Sequence, residues 1–197
     1  MTALVFLTAL FLNGRLQFTK VFPQSQPAYV GITVDSSGAA EFKTDPKDEQ
    51  PVIFHLTDAE TAELFALASR VDLTQNLEAP HKVAFMGTKT IRYENDGKTG
   101  QQAYNYTENL DARSLADWFE RISESEQCFI DLERSVKYEK IGVNESLLGL
   151  QSEWERKRLI APQQFLPLLD RVVKSDSYLQ MARKRAQALA DTFREMK

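Results

Sequence analysis

The chain has 197 residues, of which 43% are hydrophobic and 26% charged, with a net charge of −4. Such a composition excludes wholesale disorder, and the acidic balance argues against a nucleic-acid binder. The charge is uneven, because residues 155–197 hold 10 basic and 5 acidic side chains whereas residues 1–154 hold 14 and 23.

Met1–Leu12 is almost wholly apolar, and no charge precedes Arg15. The run is shorter than the roughly 20 residues that a spanning helix needs, so no stable membrane span is expected, and its length fits the core of a secretory signal. The polar segment Pro23–Pro27 is a natural start for a mature chain. Residues 1–25 therefore read as a signal peptide or a hydrophobic N-terminal segment, with a mis-assigned start or a buried strand or helix as the alternatives to export.

Ala28–Val34 and Ala39–Lys43, divided by Asp35-Ser36-Ser37-Gly38, form a β-hairpin pattern. The charged loop Thr44–Gln50 precedes an apolar strand, Val52–Leu56. Thr57-Asp58-Ala59-Glu60 matches a capping box, and Leu64, Phe65, Ala68 and Val71 share one face, which predicts a helix over Asp58–Val71. After the connection Asp72–His81, Lys82–Met86 and Thr88–Glu94 read as strand, bent at Gly87. The turn Asn95–Gly100 folds this strand back onto Gln101–Tyr106.

At Asn109 the apolar period changes from two residues to three or four. Leu115, Trp118, Phe119, Ile122, Phe129, Leu132 and Val136 lie on one stripe of a long helix, residues 110–140, and Ser123–Gln127 interrupts it with polar side chains. Three helices follow. The first carries Leu147, Leu150 and Trp154 to Arg158; the second opens at Pro162 and is delayed or kinked by Pro167; the third is capped by Ser175. The fold class is thus α+β: a mainly antiparallel five-stranded sheet in the order β-β-β-α-β-β-α with a C-terminal extension of three helices. Residues 26–122 form the sheet domain and 123–197 the helical region, sharing the long helix.

The chemistry-bearing residues are sparse. Cys128 cannot form an intramolecular disulfide alone, and the neighbouring Glu124, Glu126 and Asp131 disfavour a reactive thiolate. His55 and His81 are far apart, and no zinc spacing exists. The acidic groups Asp45, Asp48, Glu49 and Glu94, Asn95, Asp96 lack the EF-hand spacing and read as solvated turns. Met86-Gly87-Thr88-Lys89-Thr90 lacks the first glycine of a P-loop and leads into a strand. Tyr93, Tyr104 and Tyr106 with Lys89 and Arg92 resemble a stacking platform only superficially, because hairpin aromatics usually pair across strands. Asn105-Tyr106-Thr107 and Asn144-Glu145-Ser146 fit a glycosylation pattern that is frequent by chance. No catalytic residue, cofactor or metal ligand is assigned.

The stretches Phe54–Asp72, Lys82–Glu94 and Leu115–Ile122 resemble a small family of uncharacterised bacterial exported proteins, over roughly residues 28–175. The resemblance implies a sheet-and-helix domain behind a signal peptide, and offers no catalytic residues to carry over. The expected function is a non-enzymatic binding protein of the bacterial envelope or exterior, with an unknown protein partner and no nucleic acid. Its candidate interaction surface is Arg156, Lys157, Arg158, Arg183, Lys184 and Arg185. The alternative is a small-ligand binder or hydrolase-like enzyme with a pocket between sheet and C-terminal helices, near His55, Tyr93 and Tyr104.

Overall fold

A computed structural model of the chain describes residues 14–95 and 97–195. Among the described residues, six strands form one antiparallel sheet: β1 (Arg15–Val21), β2 (Tyr29–Asp35), β3 (Ala39–Lys43), β4 (Val52–His55), β5 (Thr88–Asn95) and β6 (Lys98–Tyr104), in the spatial order β4-β3-β2-β1-β5-β6. The five α-helices among the described residues are α1 (Asp58–Ala68), α2 (Leu110–Tyr138), α3 (Val143–Glu155), α4 (Leu166–Lys174) and α5 (Gln180–Glu195). A 3-10 turn, Pro162–Phe165, leads into α4.

The sheet thus has six strands, not five, and the added one occupies a central position. β1 pairs with β2 on one side and β5 on the other, each over seven residues. Leu16 and Phe18 point to the helix layer and are buried, while Gln17 and Thr19 alternate to the other face. Part of the segment assigned to a leader is therefore sheet. Met1–Leu12 lies outside the described residues.

Lys82–Met86 is not a strand. Its backbone groups are taken by a side chain: Asn105 Oδ1 accepts from the Met86 amide (2.7 Å), and Asn105 Nδ2 donates to the Ala84 carbonyl (3.0 Å). Gly87 then turns with φ +93°, where an added Cβ would lie 2.7 Å from Phe22 Cβ. Ser175 is the C-cap of α4 rather than the start of the last helix. Pro167 does delay its helix, standing in the first turn of α4, where a missing amide costs nothing.

Two apolar cores result. The first joins the inner sheet face to α1, the first half of α2, Ile160 and Ala161, with Phe18 and Phe119 stacked at 4.6 Å. The second packs the end of α2 against α3, α4 and α5 around Phe165 and Phe193. The long helix is continuous between them. Its polar residues Ser125 and Glu126 are buried, because the α3–α4 connection crosses over them. Ile160 donates its amide to Ser125 Oγ (2.8 Å), Gln164 Nε2 donates to Glu126 Oε1 (2.8 Å), and Ala161 donates to Glu60 Oε1 (3.0 Å). This connection contains the two non-glycine residues of positive φ among those described, Lys157 (+59°) and Ala161 (+48°).

Candidate functional site

The second core leaves a groove on its outer side, of about 640 Å³, between α3 and α5. Its floor is the half-buried Trp154, whose ring meets Phe193 edge-on at 5.5 Å, together with Leu189. Met181, 59% exposed, and Ala188 form one lip. Lys184 and Arg185 rise from α5 and Gln151 and Glu155 from α3. The helical period explains the arrangement: Ala182, Ala186, Leu189 and Phe193 turn inward, so Met181, Lys184 and Ala188 turn outward.

The six basic residues of the expected interaction surface do not share one face freely. Arg156 pairs with Glu153 within α3 and its cap (3.0 Å). Arg158 turns back onto α2, contacting Glu124 at 2.5 Å and Asp117 at 3.2 Å, so it ties the tail to the acidic part of the chain. Arg183 engages Asp176 and the Val173 carbonyl. Arg185 donates to Gln151 Oε1 (3.0 Å) and to Asn144 Oδ1, which fixes the guanidinium at the groove wall. Lys184 is exposed at the groove and has no hydrogen-bond or ion-pair partner among the described residues. Lys157 serves the backbone turn after α3. Of the six, Lys184 and Arg185 line the groove.

The candidate pocket residues are dispersed. His55 lies at the sheet edge in β4, exposed, with Nδ1 2.7 Å from the Leu56 carbonyl oxygen. Tyr93 packs edge-on against Phe65 of α1 at 6.0 Å. Tyr104, in β6, is buried, and its hydroxyl has no hydrogen-bond partner among the described residues; burial, then the Glu120 charge, disfavours its ionisation. The space between sheet and tail is filled by Phe18, Phe119, Ile122, Ile160 and Ala161.

Cys128 is half-buried beside the second core. Burial, then the charges of Glu153, Asp131, Glu124 and Glu126, pushes its thiol up to about 12, so it is protonated at neutral pH. Among the described residues, no three His, Cys, Asp or Glu side chains are grouped so as to hold a metal ion, and no helix is long and apolar enough to cross a membrane. The Trp154–Met181 groove itself escaped sequence reasoning. Its signal is Met181, an exposed hydrophobic side chain lying off the apolar stripe of α5.

No family model, curated protein or solved structure matches the chain.

Proposed function

We propose that this protein is a non-enzymatic binding module whose α3–α5 groove receives an acidic, amphipathic segment of a partner protein. The observation that carries the reading is the groove's chemistry: an aromatic floor, an exposed methionine lip, and Lys184 without a partner beside it. Apolar side chains of a partner helix would pack on Trp154 and Met181, which adapts to irregular shapes. An acidic side chain one turn away would meet Lys184, and the surplus of positive charge over residues 155–197 would steer such a partner in. The setting proposed is the bacterial envelope or exterior, on the strength of the apolar Met1–Leu12 run and of the resemblance of Phe54–Asp72, Lys82–Glu94 and Leu115–Ile122 to exported proteins.

The test is site-specific crosslinking in the native host, with a photoreactive residue at Ala188, which is exposed and lines the groove. The expected result is one crosslinked partner whose captured peptide is acidic and amphipathic. That crosslink should disappear in the Met181→Glu/Lys184→Glu double variant and weaken as salt rises. A crosslink that survives the double variant, or a captured peptide without acidic residues, sinks the reading.

A further inference from the structure

The 3-10 turn Pro162–Phe165 holds the two ends of one chain of contacts. Gln164 Nε2 donates to Glu126 Oε1 of α2 at 2.8 Å, and Gln163 Nε2, one residue earlier, donates to the Phe193 carbonyl of α5 at 2.6 Å. Phe165, which closes the turn, meets Phe129 of α2 edge-on at 5.7 Å and Phe193 at 6.4 Å. The Phe193 ring in turn meets Trp154, the floor of the α3–α5 groove, at 5.5 Å. One short turn thus joins a buried carboxylate to the groove floor.

That carboxylate is poorly provided for as an anion. Glu126 is fully buried, and its Oε2 has no hydrogen-bond partner among the described residues. Glu124 on its own helix and Glu153 of α3 are acidic too, and all three act on the Cys128 thiol. The cations of the α3–α4 connection are committed elsewhere or exposed: Arg158 to Glu124 and Asp117, Arg156 to Glu153, and Lys157 to solvent. Glu60 of α1 holds the Ala161 amide, and Asp170 of α4 pairs with Arg194 of α5. A charge on Glu126 therefore has one hydrogen bond to hold it, from Gln164, and water reaches it only if the turn moves.

The backbone offers a hinge for such a movement. The turn is entered through Ala161 at φ +48°, a left-handed conformation that a residue with a Cβ rarely adopts. Ahead of it the chain is anchored, with the Ile160 amide on Ser125 Oγ at 2.8 Å and the Ala161 amide on Glu60 Oε1 at 3.0 Å.

We propose that this turn couples the protonation of Glu126 to the shape of the α3–α5 groove: with the carboxyl protonated the turn is seated and the floor is formed, and ionisation unseats the turn and loosens the floor. Hydrating Oε2 displaces Gln164, and Gln163 and Phe165 move with it, which withdraws support from the carbonyl and the ring of Phe193 together. Burial raises the Glu126 pKa to about 7 against the opposing hydrogen bond from Gln164, so the two forms exchange around neutral pH. The protonated fraction then falls about tenfold between pH 6 and pH 8. The consequence for binding rests on the reading of the groove given above: the partner segment is received below neutral pH and released above it.

The test needs no partner. The full chain has two tryptophans, Trp118 in the first core and Trp154 at the groove. Their indole N–H signals are followed in proton–nitrogen correlation spectra from pH 5 to pH 9, with Trp154→Phe giving the assignment. The Trp154 signal is expected to shift or broaden with a midpoint near pH 7, and the Trp118 signal to stay fixed. Glu126→Gln, which keeps an oxygen for Gln164 and carries no charge, should abolish the transition and hold the low-pH spectrum throughout. A transition owed to His55 or His81 would survive that substitution. Gln164→Ala removes the bond that favours the charged form and should move the midpoint to higher pH, which keeps the proposal testable if the first variant folds poorly. Gln163→Ala should weaken the Trp154 response about twofold, since the Phe165 contact remains. A Trp154 signal constant across the range overturns the proposal, as does a transition that persists in Glu126→Gln or a midpoint that falls in Gln164→Ala. Failure here sinks the coupling and leaves the groove reading standing, whereas failure of the Ala188 crosslink sinks the groove reading and leaves the coupling.

Discussion

Glu60 and Ala161, 101 positions apart in the chain, are joined by a 3.0 Å hydrogen bond from the Ala161 amide to Glu60 Oε1. The other oxygen of the same carboxylate closes the capping box of α1, where Oε2 accepts the Thr57 amide at 2.8 Å. One side chain thus starts a helix and anchors the connection that crosses from the second core to the first.

Two substitutions separate these roles. Glu60→Ala should cost about 2–4 kcal/mol, combining a lost cap with a buried amide left without an acceptor. Glu60→Gln keeps an oxygen for Ala161 and loses the reciprocal half of the cap, so it should cost about 1 kcal/mol. Urea denaturation with unchanged m-values measures both. Equal losses for the two variants would show that the Ala161 bond contributes nothing.

Glu126 makes stability depend on pH. It is fully buried, and burial raises its pKa to about 7, with the hydrogen bond from Gln164 opposing that shift. Its Oε2 is buried and has no partner among the described residues, so nothing there offsets the loss of hydration that the charged form suffers. Above the unfolded carboxyl value of about 4.5 the unfolded chain has released a proton that the folded chain retains, so stability falls as pH rises from there through about 7. The loss, on the order of 3 kcal/mol, is complete above that range. Glu126→Gln should flatten the decline between pH 5 and pH 8, with its largest relative gain at pH 8. A wild-type urea midpoint that rises over this window would contradict a raised pKa.

Legibility in the sequence followed how local each determinant is. The capping box at Thr57 and Glu60 formed as its spacing implied, and the apolar stripe from Leu115 to Val136 became one unbroken helix. Strand β1 was obscured because its alternating residues Leu16 and Phe18 come soon after a continuous apolar run that ends at Leu12, and because Lys20 stands at an inward position where the alternation calls for an apolar side chain. Lys82–Met86 has strand composition, but the partner of its backbone is the side chain of Asn105, some twenty residues later. The polar residues Ser125 and Glu126 read only as a polar interruption of the helix, because the chain that buries them, Ile160–Gln164, is distant in sequence. The groove on α5 depends on helix packing, which no local pattern encodes.

Lys157 should tolerate, and profit from, glycine. Its φ of +59° puts a Cβ in the left-handed region, at a cost of roughly 1–2 kcal/mol that glycine avoids while losing somewhat more chain entropy. Lys157→Gly should leave stability unchanged or raise it by up to about 1 kcal/mol, whereas Lys157→Val should lower it by more than 1 kcal/mol, since a β-branched residue fits that region worst. Thermal denaturation at one pH suffices. A destabilising glycine would mean that the Lys157 side chain, exposed in the structure, makes a contact in solution.

The N-terminal boundary gives the sharpest prediction, because β1 supplies the partner of both β2 and β5. Without it the sheet falls into β4-β3-β2 and β5-β6, each with a newly exposed edge, and Phe119 loses its stacking partner. A chain beginning at Gln24 should therefore fail to fold, seen as loss of near-UV circular dichroism and as aggregation. Phe18→Ala should reproduce part of that loss, about 3–5 kcal/mol. Any leader removed in the native host must then be cut before Arg15, not near Gln24. N-terminal sequencing of the mature protein checks this, and a stable, folded product starting at Gln24 would remove β1 from the centre of the sheet.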